Sequence, residues 1–348
     1  MNRSRLFIMT AFTVAIGAAF AQTKVTLNFQ VGGKTRSTAI YVPSAATKPP
    51  VVFFIHGANG SGSNFENETK GDVIADREKF IAVYPSASSN GAAGVWDDMQ
   101  GKGNFPFFLA ILDTLDARYH IDRDRVYMTG FSQGGFISYA AACFYSDIFA
   151  AVAPVSGHTM KSCAIKRPVP VFMTFGAQEG TSFFDDLTYW NGLNKCPDTP
   201  ASKGPYPSSK PTSKVGRITY GPCDKGTQVI LDSISGQGHQ WPGTNNINQA
   251  DEVWTFFKTY SLATTTGIGS SHSIRKNAAF SVNYVAGQVF LKGMEGETQV
   301  QVTDAEGKEI ATVMTSQHRF DFKGRPSGIY LATVEEKGRR RSEKFMVP

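Results

Sequence analysis

The sequence predicts an α/β fold with a mostly parallel central sheet, followed by a small all-β sandwich. Two observations carry this expectation. From Lys24 to Tyr260 short apolar, β-rich runs alternate with longer mixed segments, and beyond Lys276 the hydrophobic period switches to two. Between them, Ser261 to Lys276 is rich in Ser, Thr and Gly and lacks a core pattern, so it reads as a linker. A chain of 348 residues suits such a division at roughly 150 residues per domain. The expected organisation is a leader over residues 1–21, an α/β domain over 22–260, a linker over 261–276 and a β-domain over 277–348.

The elements follow in order. Val51-Val52-Phe53-Phe54-Ile55 is a short continuous apolar run, as a strand buried on both faces requires, and Phe80 to Pro85 reads the same way. Asn104 to Tyr119 places Phe105, Phe108, Leu109, Leu112 and Leu115 at helical spacing. Val126 to Thr129 is a strand, and the Ala-rich stretch after Gly134 is a helix. Ala150 to Val155, Val169 to Phe175 and Gln228 to Ile234 complete the strands, and Asn248 to Tyr260 closes the domain with an amphipathic helix. In the last domain six runs between Phe280 and Glu335 alternate, with turn signals at Glu306-Gly307-Lys308 and Ser327-Gly328.

Composition narrows the function classes. An apolar fraction of 41% with 26 Phe and 12 Tyr supplies a large core and excludes a disordered chain. The net charge of +6 is spread along the chain. Its one basic cluster, Lys337, Arg339, Arg340, Arg341 and Lys344, lies at the end, so no nucleic-acid-binding stripe is expected. Met1 to Arg5 is a positive n-region, Leu6 to Phe20 an apolar h-region and Ala19-Phe20-Ala21 a small-x-small cleavage site, which predicts export.

Export alters the reading of Cys143, Cys163, Cys196 and Cys223, which allow three pairings in an oxidising compartment. The nearest-neighbour set, Cys143 with Cys163 and Cys196 with Cys223, closes two loops worth roughly 3 kcal/mol each. Free buried thiols are the alternative. With no CxxC and no His at zinc-ligand spacing, neither a metal nor another cofactor is expected.

Gly130-Phe131-Ser132-Gln133-Gly134 fits the nucleophile elbow Gly-x-Ser-x-Gly, and it follows a strand and opens a helix as that turn must. In such elbows the triad runs in chain order serine, acid, histidine. Of six histidines, His56 and His120 precede the serine, while His272 and His318 lie in the linker and the β-domain. His158 follows the serine too closely to leave room for an acid-bearing strand. His239, in Gly236-Gln237-Gly238-His239-Gln240-Trp241-Pro242-Gly243, is therefore the expected base. The acid should follow the strand ending at Phe175, which points to Glu179, with Asp185 and Asp186 as competitors. The oxyanion donors should be the backbone N–H groups of Gln133 and of Ala58 in His56-Gly57-Ala58-Asn59-Gly60.

Five segments occur in order: Ile55-His56-Gly57, Asp122 to Tyr127, Gly130 to Gly135, Ala150 to Val155 and Gly238 to Gly243. Together they resemble the secreted α/β-hydrolase esterases comprising feruloyl esterases, acetylxylan esterases and polyhydroxybutyrate depolymerases (carbohydrate esterase family 1 and its relatives). The resemblance covers about Val25 to Tyr260. It implies an α/β-hydrolase fold, Ser132 as nucleophile, His239 as base, and a Cys196–Cys223 disulfide bracketing a substrate-side insertion. It also implies that Trp241 lies beside the cleft, although the residue alone reads equally as core. Relatives usually carry Asp where Glu179 stands, and many carry Cys where this chain has Ala58.

Val300 to Ile310, Ser327 to Val334 and Lys344 to Val347 resemble a C-terminal sorting domain of type IX secretion, which implies the export machinery as partner. A small carbohydrate- or polymer-binding module is the alternative. The aromatics there (Phe280, Tyr284, Phe290, Phe320, Phe322, Tyr330 and Phe345) include no Trp and mostly fall on strand-like runs, so they read as core. The expectation is a secreted serine esterase that releases ferulate, or acetate, from plant cell-wall xylan. A polyester depolymerase is the second reading, and a non-catalytic polymer-binding protein on a hydrolase fold is one of another class.

Overall fold

The computed structural model describes residues 22–265 and 281–347, apart from 45, 88–92, 161, 244–246, 286–287, 293–296, 305–306, 317–318, 327 and 337–338. The leader and most of the linker lie outside the described residues. The described chain separates into two units, divided at Ser270/Ser271.

In the first unit a hairpin comes first: β1 (Thr23–Val31) and β2 (Lys34–Val42) pair antiparallel. Its turn, Gly32-Gly33, has φ of 60° and 74°, the left-handed values that a two-residue hairpin turn needs and that glycine adopts without strain. The parallel strands are β3 (Val51–Ile55), β4 (Ile81–Pro85), β5 (Val126–Phe131), β6 (Ala151–Val155), β7 (Val171–Gly176) and, after an edge pair, β10 (Val229–Ile234). The edge pair is β8 (Ser202–Pro205) and β9 (Val215–Tyr220), antiparallel to each other and to β10. The sheet order is β1-β2-β4-β3-β5-β6-β7-β10-β9-β8. A parallel core thus carries an antiparallel hairpin at each margin.

Helices cover both faces. They are α1 (Gly62–Thr69), α2 (Gly71–Glu78), α3 (Phe105–Tyr119), α4 (Gln133–Phe144), α5 (Phe183–Leu193) and α6 (Gln249–Phe257). Strand β3 shows why the central runs are continuously apolar. Val51, Phe53 and Ile55 enter the core shared with α3, α4 and α5, whereas Val52 and Phe54 enter the one shared with α1, α2 and α6. Side chains alternate between faces, so a strand covered on both sides needs apolar residues at every position. The hairpin strand β1 has helices on one side only and alternates between half-buried and exposed.

Two disulfides brace this unit. Cys143–Cys163 ties the end of α4 to the segment after β6, and Cys196–Cys223 ties the segment after α5 to the one after β9. No helix among the described residues is long and apolar enough to cross a membrane.

The second unit contains a three-stranded sheet of β11 (Ser281–Val285), β12 (Gln288–Lys292) and β15 (Arg319–Asp321). Its four-stranded sheet holds β14 (Glu309–Thr315), β13 (Thr298–Asp304), β16 (Gly328–Glu336) and β17 (Arg339–Val347), in that order. Val282 and Val289 from the first sheet and Val300, Val302, Tyr330 and Phe345 from the second share one core. Phe322, Tyr330 and Phe345 pack ring against ring inside it, in keeping with their reading as core.

The Cys143–Cys163 bridge closes a separation of 20 residues. Replacing both cysteines by Ser should lower the free energy of unfolding by roughly 3 kcal/mol in urea titrations. A midpoint equal to that of the parent chain would show that packing alone holds the segment.

Candidate active site

Strand β5 delivers Ser132 into a turn that only a crowded, glycine-lined corner permits. Ser132 has φ 55° and ψ −115°, outside the regions open to ordinary residues. A methyl group on Gly134 would stand 1.9 Å from the carbonyl oxygen of Ile55, and one on Gly130 2.6 Å from the backbone of Gly134. Glycine at both positions lets β3, β5 and α4 converge behind the serine. The Ser132 N–H donates to the Val155 carbonyl at 2.9 Å, which ties the turn to β6.

Two loops, following β7 and β10 beyond β6 in the sheet order, complete the line from Ser132. His239, after β10, sets Nε2 2.9 Å from the Ser132 hydroxyl, and its Nδ1 lies 2.5 Å from Glu179. Glu179 ends a single 3₁₀ turn, Ala177–Glu179, that follows β7. Its other carboxylate oxygen accepts hydrogen bonds from the Ser156 hydroxyl at 2.7 Å and the Gly176 N–H at 2.8 Å. The two loops are joined as well, since the Gln178 N–H donates to the Gln237 carbonyl at 3.0 Å. A methyl group on Gly176 would meet that carbonyl at 2.4 Å, so glycine is required where the loops touch. Glu179 is only 9% exposed and His239 is half exposed. The acid is thus shielded while the imidazole faces the solvent side.

Of the three carboxylates weighed as acid, Glu179 is the one facing His239. Asp186 is buried and bonds His158 Nδ1 at 2.7 Å and the Thr159 N–H at 3.2 Å, and Asp185 is exposed. The Asp186 carboxylate raises the basicity of His158, with smaller pulls from Glu179 and Asp185. Ser156, at the end of β6 with φ 51°, is a site residue that sequence reasoning missed. No motif marks it, because its role arises only when β6 and β7 lie side by side.

The loop after β3 forms the opposite wall. Ala58 lines a cavity of about 340 Å³ together with His56, Gly57, Gly60, Ser61, Asn64, Phe65, Glu68, Phe131, Ser132 and His239. Gln133 is the first residue of α4, where backbone N–H groups have no partner within the helix. Its side-chain oxygen accepts from the Trp96 N–H at 3.0 Å, and the Trp96 indole donates to the His56 carbonyl at 2.9 Å. Trp241 departs from expectation. It is buried against Phe65, with ring centroids 5.2 Å apart, and does not line the cavity. Its large apolar ring is better accommodated behind Phe65 than beside solvent.

His56 holds the Gly57–Ala58 peptide in place. The Ala87 N–H can only donate, and it points at His56 Nε2 at 3.1 Å, so the ring proton sits on Nδ1. Nδ1–H then donates to the Gly57 carbonyl at 2.6 Å, which the Gly60 N–H also reaches. Burial depresses the basicity of His56 and keeps it neutral.

Residues 36–167 match the family model described as esterase PHB depolymerase. Residues 283–348 match that of a secretion system C-terminal sorting domain. The family resemblance read from the sequence is borne out. A bifunctional acetylxylan esterase/xylanase of Neocallimastix patriciarum is 29% identical over 236 residues, covering 66% of this chain and 34% of that protein. Feruloyl esterase B of Neurospora crassa is 28% identical over 200 residues, covering 56% of this chain and 64% of its own length. The chain therefore spans less than two thirds of either relative. The solved acetyl xylan esterase from Aspergillus awamori superimposes with a TM-score of 0.52 at 18% identity, over 67% of this chain and 99% of that one. The first unit has the α/β-hydrolase fold of these esterases. The sorting domain marks the protein as secreted or displayed at the cell surface, with which the two disulfides agree.

The neutral state of His56 has a pH consequence. Its folded basicity lies below the ordinary value of 6.5, so below that pH the unfolded chain binds a proton there that the folded chain does not. Stability should fall as pH drops from about 6.5 toward the depressed value. His56→Gln, which keeps hydrogen-bonding groups without titrating, should flatten that slope in urea titrations between about pH 5 and 7. Parallel slopes in the two chains would contradict the assignment.

Proposed function

We propose that this protein is a secreted serine esterase that releases ferulate, or acetate, from plant cell-wall xylan. The observation that carries the reading is the continuous hydrogen-bonded line from Ser132 Oγ through the imidazole of His239 to Glu179, at 2.9 and 2.5 Å. In this account His239 Nε2 takes the Ser132 proton as Oγ attacks the ester carbonyl. The carbonyl oxygen becomes an oxyanion and receives the N–H groups of Gln133 and Ala58, an interaction worth roughly two to three orders of magnitude in rate per donor. His239 returns the proton to the departing alcohol, leaving Ser132 acylated. Water activated by the same histidine then attacks the acyl group and frees the acid. Glu179 holds Nδ1–H and stabilises the imidazolium without taking its proton. Ser156 and Gly176, bonded to its other oxygen, keep it aimed. Export through the C-terminal domain would bring the enzyme to a polymer that cannot enter a cell.

A second reading, a polyester depolymerase, has the same triad and is favoured by the description of the matched family. The substrates separate the two. The mature protein should release ferulate from methyl ferulate or acetate from acetylated xylan, and Ser132→Ala should abolish it. Activity on poly-3-hydroxybutyrate alone would move the substrate to the second reading, and activity surviving in Ser132→Ala would overturn the mechanism. Glu179→Gln should lower kcat by about four orders of magnitude. A similar loss in Asp186→Asn, with Glu179→Gln nearly unaffected, would reassign the acid.

A further inference from the structure

The cavity beside Ser132 has one wall that the chemistry above does not use. Ser61 caps helix α1, its hydroxyl accepting from the Asn64 N–H at 3.3 Å, and Ser61, Asn64, Phe65 and Glu68 then recur at intervals of three and four. That spacing puts all four on one face of the helix, and all four line the same cavity as Ser132 and His239. We propose that this face, through Asn64 and Glu68, binds the hydroxyl groups of a neutral saccharide that forms the alcohol half of the ester. The proposal rests on the esterase reading.

The chemistry of the wall selects this ligand in three ways. First, the departing alcohol must collect its proton from His239 Nε2, and His239 lines this cavity, so the alcohol half lies here. Second, the Asn64 and Glu68 side chains have no hydrogen-bond or ion-pair partner among the described residues. A carboxamide that both donates and accepts, beside a carboxylate that only accepts, matches sugar hydroxyls, which do both. Phe131, half-buried at the cavity, supplies apolar surface for the C–H face of a pyranose ring. Third, the Glu68 carboxylate has no counter-ion there. The Asn64 and Glu68 side chains are both exposed on the cavity wall, free to meet an incoming ligand. An anionic alcohol, such as a uronate, would be repelled, and a polyester chain without hydroxyls would leave both side chains unanswered.

The test compares two acetate esters that differ only in the alcohol: acetylated xylotriose and 4-nitrophenyl acetate. With the full mature chain, kcat and KM are measured for the parent, Glu68→Gln and the double variant Asn64→Ala/Glu68→Ala. The ratio of kcat/KM for the saccharide over the nitrophenyl ester should fall at least about tenfold in the double variant, mainly through KM. Glu68→Gln, which keeps one acceptor, should fall between. A ratio within about twofold of the parent, or a fall carried by kcat alone, would overturn the subsite. So would a parent that cleaves only the nitrophenyl ester, while Ser132→Ala losing that activity would leave the triad standing. A parent inactive on both esters, on methyl ferulate and on poly-3-hydroxybutyrate would overturn the esterase reading itself, and the subsite with it.

Discussion

Everything at the site depends on the strained turn at Ser132. A serine at φ 55° and ψ −115° is unfavourable by itself, at a cost of order 1–3 kcal/mol, and persists only where its surroundings leave no alternative. Those surroundings are backbone atoms. The carbonyls of Ile55 and Val155, from the strands on either side of β5, close on the turn so tightly that Gly130, Gly134 and Gly135 have no room for a methyl group. Parallel pairing of β3, β5 and β6 sets that spacing, so the central sheet and the elbow are one object. The continuous apolar strands that hold the two helical layers apart therefore also position the serine hydroxyl.

A second level of order is polar and local. Each loop that meets the elbow is fixed by bonds to a neighbouring loop. The Glu179 turn is held by Ser156 and Gly176, the His239 loop by the Gln178–Gln237 contact, and the Gly57–Ala58 peptide by His56. Trp96 links the last of these to the elbow helix through Gln133 and the His56 carbonyl. Backbone groups supply many of these bonds, so the geometry tolerates varied side chains at nearby positions. The single 3₁₀ turn after β7 sets how far the carboxylate must reach, and the Glu179 side chain spans the gap to His239.

Much of this was legible in the sequence, and the limits have physical causes. The central strands announce themselves because burial on both faces requires unbroken apolar runs, and the elbow because its glycines follow a strand and precede a helix. The hairpin β1–β2 lies outside the strands marked by continuous apolar runs, because β1 alternates between half-buried and exposed residues. Helices α1 and α2 were not expected, because they are short and polar, with only Phe65, Ile74 and Ala75 as buried apolar anchors. The edge strand β8 (Ser202–Pro205) is almost wholly exposed and carries no hydrophobic signal. Ser156 could not be read because its partner Glu179 lies on another strand. Trp241 was placed beside the cleft by resemblance, whereas packing against Phe65 puts it one layer behind.

The central claim is that the strained turn, the imidazole and the carboxylate make the Ser132 hydroxyl unusually nucleophilic. The most direct measurement is mass spectrometry of the mature chain after brief exposure to diisopropyl fluorophosphate, which phosphorylates activated serines. The account predicts one phosphoryl adduct, on the peptide carrying Ser132, formed far more slowly when His239 is replaced by Ala. No adduct, an adduct at another hydroxyl such as Ser156, or labelling indifferent to His239 would contradict it.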